Sequence, residues 1–505
     1  AAADAAARAA RATKWSSALW LRARVDEYPL ERVEAITGVD RESIAAAARM
    51  YAGADGAVIP WTPITDQQIS STSAIRLHSI LRAITGNLDV VGGETLGGFN
   101  PAYIPESELA LHERLSDEQK AKQLGFADHP VFTYRTAEML KDATNKVWGF
   151  PYADLVMGCH MANPTNVFRA MAKGDPYPIK ALITLGNNTL LSYANQHQIL
   201  QGLMNQELIV AHEIFMTPTA MLADYVLPGD VFTERNHVAD GWSWGNRLTL
   251  SQKVVDAPEH ASSTFQFWTD LGRRMGLAEY FPWDTIEDML DYRLSRSGRT
   301  FAEFEAATFM EMPTPKFRKY RKHGFATPSG KVELYSSVLA DLGFDPLPYY
   351  REGPTPNEEY PYAVFTGVRE DPFFQTGQRN IEVLRARCPN PQLYLHPTDA
   401  TREQLADGDW VRLESSTGSV TAQISIQQSM KEGHIRVPHG WWYPETRGQE
   451  NLAGAFLSSD AVLCSDDDEF LDYEQGVPHF KGFPGRIVKT AVPDMLTAGD
   501  TRSTA

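Results

Sequence analysis

The chain has 505 residues, 43% hydrophobic and 22% charged, which is the material of a globular protein with roughly two to four cored domains and excludes disorder as its default state. A formal net charge of −17 argues against a nucleic-acid or anionic-membrane surface, so any phosphate it binds must be held by local geometry. No apolar run is long enough to cross a bilayer, and the opening AAADAAARAARAT lacks the apolar core of a signal peptide.

The cysteines Cys159, Cys388 and Cys464 are scattered, without the close spacing of an iron–sulfur, zinc or dithiol motif, and each is expected to be a small structural residue. The chain opens on alanine within a segment of helical composition. An upstream part is therefore expected to be absent, and any targeting signal with it, which leaves the compartment open.

In chain order, apolar residues recur at helical spacing over Ser43–Met50 and Ala74–Leu81, and Ala57–Pro60 between them reads as a short buried strand. A glycine-rich turn segment follows from Gly86 to Gly93. Between Lys180 and Leu227, ALITL, a helical stretch over Gln196–Asn205, ELIVA and ADYVL alternate strand with helix. That βαβ logic predicts a parallel, doubly wound sheet. Ligands of such sheets bind outside the carboxyl ends of the strands, and those ends carry Gly186-Asn187-Asn188 and His212-Glu213. The stretch Leu347–Tyr362 is proline-rich and polar, an extended connection at which a domain boundary is expected. Beyond it come short strands at Val364–Thr366, Trp410–Ser415, Val420–Ile426 and Ile435–Pro438, with a turn at Thr417-Gly418. They predict a closed β-barrel over residues 360 to 490. No internal repeat of fixed period stands out.

The chemistry-bearing residues lie at these strand ends. A glycine lets backbone N–H groups approach a ligand, an asparagine both donates and accepts, and a carboxylate accepts from two donors. Read alone, Gly186 and Asn188 could belong to an ordinary βα turn and Glu213 could be a loop acid. The segment Leu182 to Thr189, LITLGNNT, resembles the strand-to-loop motif by which the dimethyl sulfoxide reductase family of molybdopterin enzymes cradles a pterin dinucleotide, with Thr189 where that family usually has proline. Val210 to Ala220, followed by ADYVLP and Glu234, resembles the family's most recognisable stretch. Glu213 there replaces the usual aspartate that accepts from guanine, and Thr217 and Thr219 follow it. Further on, Thr366-Gly367-Val368-Arg369 and Phe374 to Arg379 resemble the loop that wraps the dinucleotides, with Gln375, Thr376 and Gln378 as contacts. His439-Gly440-Trp441-Trp442 and Lys481 stand where relatives touch the cofactor, whereas Ser459 to Leu463 replaces an asparagine-containing motif, so that contact is not carried over. Gly324 to Ser336 resembles a linker with no chemistry, in which Lys331 and Glu333 read as a local charge pair.

The resemblance implies α/β cofactor-binding regions over 1–188 and 189–350, then a double-psi-type β-barrel over 351–505. It implies a molybdenum or tungsten bis(molybdopterin guanine dinucleotide) cofactor, with a 4Fe-4S cluster and the metal's own protein ligand upstream. No metal ligand or catalytic residue is assigned within this chain. The expected function is the catalytic subunit of an oxidoreductase acting on a small molecule beside an iron–sulfur electron-transfer subunit. Gly86 to Gly93, Asp175 to Ala181 and His439 to Glu445 are most similar to the branch of acetylene hydratase and aromatic acyl-CoA oxidoreductases. A hydratase or a non-catalytic cofactor-binding scaffold are the alternatives. Neither nucleic acid nor membrane insertion is expected.

Overall fold

The computed structural model describes residues 17–96, 102–152, 161–239, 247–307, 309–311, 316–446 and 449–497. Cys159 lies outside them; Cys388 and Cys464 are free and buried.

The first predicted helix spans Arg41–Gly53, opened by Asp40, whose carboxylate accepts from the Ser43 N–H at 2.8 Å. The second spans Ser71–Ile84. The strand expected at 57–60 is not formed. Val58 is 54% exposed, and the Ala57 and Ile59 N–H groups donate to the side chains of Asn87 and Glu94 instead of to a neighbouring strand. An apolar run of four cannot be told from a buried strand by composition.

The parallel sheet forms as expected, from β1 (Ala181–Leu185), β2 (Leu208–Glu213) and β3 (Tyr225–Pro228), in that order. Helix Gln196–Met204 makes the first crossover, with Asn195 accepting from the Gln198 N–H at its start. It packs on helix Pro164–Lys173, and Gly202 permits the approach, since a Cβ there would lie 2.9 Å from that of Met171. Phe168, Met171, Leu190, Leu191, Ile199, Leu203 and Ile209 form the core beneath the sheet, joined by Trp442 from far along the chain. A small antiparallel sheet follows, of β4 (His237–Ala239), β5 (Arg247–Ser251) and β6 (Phe309–Glu311).

In the linker, Lys331 and Glu333 do not form the expected charge pair. Glu333 accepts from the Ser329 and Ser337 N–H groups, so its carboxylate fixes backbone ahead of helix Ser337–Leu342. Residues 343–361 run without regular structure, tied to the start of helix Ser71–Ile84 by Tyr349 N to Ser73 Oγ (3.1 Å) and Arg351 N to Ser70 Oγ (3.2 Å).

The closed barrel contains β7 (Tyr362–Val368), β8 (Gln392–Leu395), β9 (Trp410–Glu414), β10 (Ser419–Ile426), β11 (His434–Pro438) and β12 (Lys481–Lys489), in the cyclic order β10-β8-β11-β7-β12-β9. β10 with β8 and β11 with β7 are parallel; the remaining pairings are antiparallel. Alternate residues point inward, so Val364, Leu393, Leu395, Val411, Leu413, Ala422, Ile424, Ile435 and Val437 fill the interior. Two of these strands were not anticipated: β8 is only four residues long, and β12 carries Gly482, Pro484 and Gly485 with a bulge between Lys481 and Phe483.

Candidate functional site

At the carboxyl edge of the parallel sheet, Gly186 and Glu213 are neighbours. Leu185 pairs with His212, and the Gly186 N–H donates to the His212 carbonyl at 2.9 Å. Gly186 is exposed with φ 56°, a left-handed conformation that favours glycine, and no atom stands within 4 Å of where a Cβ would be. Glu213 is half-buried; its Oε1 accepts from the Ile214 N–H at 2.9 Å. Burial raises its pKa above the carboxylate range, offset in part by the Ile214 and Phe215 N–H groups and His212.

Asn188 is buried just behind Gly186. Its Oδ1 accepts from Thr219 Oγ1 at 2.8 Å and Thr219 N at 3.3 Å, while its Nδ2 is buried without a hydrogen-bond partner. Thr217 and Thr219, expected as ligand contacts, are buried and engaged by neighbouring protein groups. Thr217 Oγ1 accepts from Ala220 N (3.2 Å), and Thr219 Oγ1 from Leu190 N (2.9 Å).

A second group of expected residues gathers at one end of the barrel. Thr366 is fully buried, its hydroxyl donating to the Phe480 carbonyl at 3.2 Å and lying 3.5 Å from Cys464 Sγ. Lys481 Nζ donates to the Thr366 carbonyl. Burial lowers the lysine pKa, opposed by the charge of Asp460. Gly367, with φ 68°, faces this amine closely: a Cβ there would stand 2.9 Å from Lys481 Nζ and 3.1 Å from Gln67 Oε1.

The loop from Phe374 to Arg379 bends through left-handed Gln375 (φ 51°) and Gln378 (φ 67°), and Gln378 Oε1 accepts from Phe374 N at 3.1 Å. Arg369 is exposed, its guanidinium 4.4 Å from the Phe374 ring centroid. Arg379, read as suiting a pyrophosphate, is instead buried and donates to the carbonyls of Gln375 (2.6 Å), Gly377 (3.2 Å) and His439 (2.7 Å). It stacks on Phe373 and Trp441, each 5.0 Å away. Trp441 is fully buried, and Trp442 nearly so, so both act from beneath the site. Trp442 packs with Leu190 and Leu191 under the sheet while its Nε1 donates to the Thr376 carbonyl at 2.7 Å, and so spans the two groups.

The residue that sequence reasoning passed over is Asp460. It is fully buried on the short 3₁₀ turn Asp460–Leu463 and accepts from Gly440 N (2.7 Å), Gly367 N (3.0 Å) and His439 Nδ1 (3.1 Å to either oxygen). The available signal was an acid isolated in the apolar run Ala461-Val462-Leu463, because an isolated buried acid requires donors from elsewhere.

Two family models match the chain: a molybdopterin oxidoreductase over residues 93–274 and a molydopterin dinucleotide binding domain over 364–462. Acetylene hydratase of Syntrophotalea acetylenica is 43% identical over 471 residues, covering 92% of this chain and 64% of that protein. A dimethyl sulfoxide reductase of Escherichia coli (strain K12) is 25% identical over 447 residues, 81% of this chain and 51% of that protein. The solved structure of acetylene hydratase from Pelobacter acetylenicus superposes with a TM-score of 0.89 at 42% identity, over 92% of this chain and 65% of that one. The chain thus spans about half to two thirds of the length of these relatives. With both domains matched in their order along the chain and most of its length aligned to these relatives, the protein belongs to the molybdopterin oxidoreductase family.

Proposed function

We propose that this chain is the dinucleotide-cradling part of the catalytic subunit of an enzyme whose cofactor is bis(molybdopterin guanine dinucleotide) carrying molybdenum or tungsten. The observation that carries the reading is the buried, unpartnered Asn188 Nδ2 behind the exposed Gly186 and the desolvated Glu213. A buried donor without a partner calls for an acceptor, and a ligand supplies one. The open left-handed glycine and the close Gly367–Lys481 approach fit a long, flat ligand that needs backbone contact.

When bound, the cofactor supplies the electron, oxygen-atom or water-activating chemistry. This chain's residues bind and orient. Glu213 accepts from the donors of a guanine edge; Gly186 and Asn188 offer backbone and amide donors. Thr366, Gly367, Arg369, Gln375, Thr376 and Gln378 flank the dinucleotide, Lys481 donates near the pterin and His439 faces it, with Trp441 and Trp442 supporting them. The division at residues 188 and 350, a 4Fe-4S cluster upstream and an iron–sulfur electron-transfer subunit belong to the same proposal.

A second reading, hydration without net redox change, is favoured by the 43% identity to acetylene hydratase against 25% to the reductase. The test uses the full-length protein. Molybdenum or tungsten and guanine nucleotide should co-purify with it, and absence of both overturns the cradle. Incubation with acetylene and no external electron acceptor then separates the reactions. Aldehyde formation selects hydration, and turnover only with an electron donor or acceptor selects an oxidoreductase.

A further inference from the structure

Asp460 sits beneath the barrel end of the candidate cradle, 1% exposed, and its named hydrogen-bond partners there are all donors. Burial alone would raise its pKa, yet the neighbouring His439 and the Gly440 and Gly367 N–H groups hold it below the ordinary carboxylate range. An ionised carboxylate only accepts, so the His439 nitrogen facing it, Nδ1, must carry a proton. Nε2 is then the atom the imidazole presents.

The backbone of His439 is fixed as well. Its N–H donates to the Val368 carbonyl at 2.9 Å, and its carbonyl accepts from Arg379 at 2.7 Å. A Cβ on the adjacent Gly440, at φ 58°, would overlap Thr376, so no larger residue fits at that turn. The His439 side chain keeps 14% of its surface exposed while its carboxylate partner keeps 2%. An imidazole locked in tautomer and orientation by a buried acid, yet still partly accessible, has the form of a recognition group.

We infer that Asp460 is a positioning residue that aims His439, whose Nε2 hydrogen-bonds the pterin dinucleotide. This assignment rests on the cradle reading. The family contact of the 459–463 segment, not carried over from the sequence, is then replaced by an indirect one, since the acid acts through the histidine instead of touching the ligand.

The experiment is a double-mutant cycle in the full-length holoenzyme, read as guanine nucleotide and metal retained per chain after extended dialysis. Asp460→Asn keeps the size but turns one acceptor into a donor, which favours the opposite imidazole tautomer. His439→Gln removes the ring. Each should lower retention by about tenfold, the scale of one lost hydrogen bond to a charged or buried group. The double variant should fall no further than either single one, because both changes remove the same contact. Additive losses mean that Asp460 only braces the turn and overturn the inference, as does unchanged retention in His439→Gln. If Asp460→Asn does not fold, Asp460→Ser takes its place in the cycle and is read on the same criterion of non-additive loss. A wild type without metal and nucleotide overturns the cradle reading itself, whereas a loaded wild type with additive losses overturns only the role of Asp460.

Discussion

At Glu213 and Glu474 burial raises the pKa of two carboxylates, and at Glu474 a second acid adds to it. Glu213 ends β2 with a pKa raised by burial and only partly offset by nearby donors. Glu213→Gln keeps the size but turns one acceptor toward a donor. Charge-assisted hydrogen bonds contribute roughly 1.5–3 kcal/mol, so guanine-nucleotide content of the full-length protein should fall by about tenfold or more. Equal content in parallel preparations would remove Glu213 from the site. Glu474 is buried beside Asp472 and accepts from Tyr349 Oη at 3.1 Å. Burial first, and the charge of Asp472 second, push its pKa up from 4.5 to about 7. An acid with a raised native pKa holds its proton more tightly when folded, so its contribution is full below pH 4.5 and is lost as pH rises through 7. Glu474→Gln should therefore raise the melting temperature at pH 8, by at least about 1 kcal/mol of stability, and by much less at pH 5. Melts at the two pH values check it; an equal effect at both would contradict it. The place of Glu213 at the end of β2 was legible because the apolar run before it marks a strand. Asp460 and Glu474 were not, because the burial of an acid is decided by other segments of the chain, those of Gly367 and His439 for the first and of Tyr349 for the second.

Among elements, the loop after β7 shows what a sequence motif conceals. Arginine beside hydroxyls and glycines reads as a phosphate site, but the guanidinium of Arg379 faces three carbonyls of its own fold, which leaves Arg369 as the exposed cation there. Arg379→Lys keeps the charge and loses the fork, so the protein should lose roughly 2–4 kcal/mol of stability. Limited proteolysis should find new cuts near Gln375 and Gln378, the two left-handed positions; an uncut loop of unchanged stability would show that the fork is dispensable. The periodic strands β7, β9, β10 and β11 were readable, since alternation marks a sheet with one face inward. β8 and β12 were not, because brevity and glycine or proline hide the pattern, and 57–60 failed in the opposite sense: apolar residues without a partner strand.

At the scale of the molecule, Asp466 joins the sheet region to the barrel. Its oxygens accept from Asn195 Nδ2 (2.6 Å), Gln198 Nε2 (2.6 Å) and Arg169 Nε (3.4 Å), while Asn195 N donates to the Cys464 carbonyl at 2.8 Å. Asp466→Ala removes the shared acceptor of these half-buried donors, a loss of roughly 1–3 kcal/mol concentrated at the junction. Calorimetry of the variant should show unfolding broadened or split relative to wild type; an intact single transition would mean that the Trp442 core carries the coupling. The order of strands around the barrel has a consequence for how the protein is made. β12 lies between β7 and β9, yet it leaves the ribosome last of the six, more than a hundred residues after β7. Until it does, the edges of β7 and β9 that it will join, each from the time its own strand is made, stay open on the nascent chain, ready to pair with a neighbouring polypeptide. Closure waits on a contact of long sequence separation and is correspondingly slow, so yield in the cell depends on how well those two edges are shielded while translation finishes.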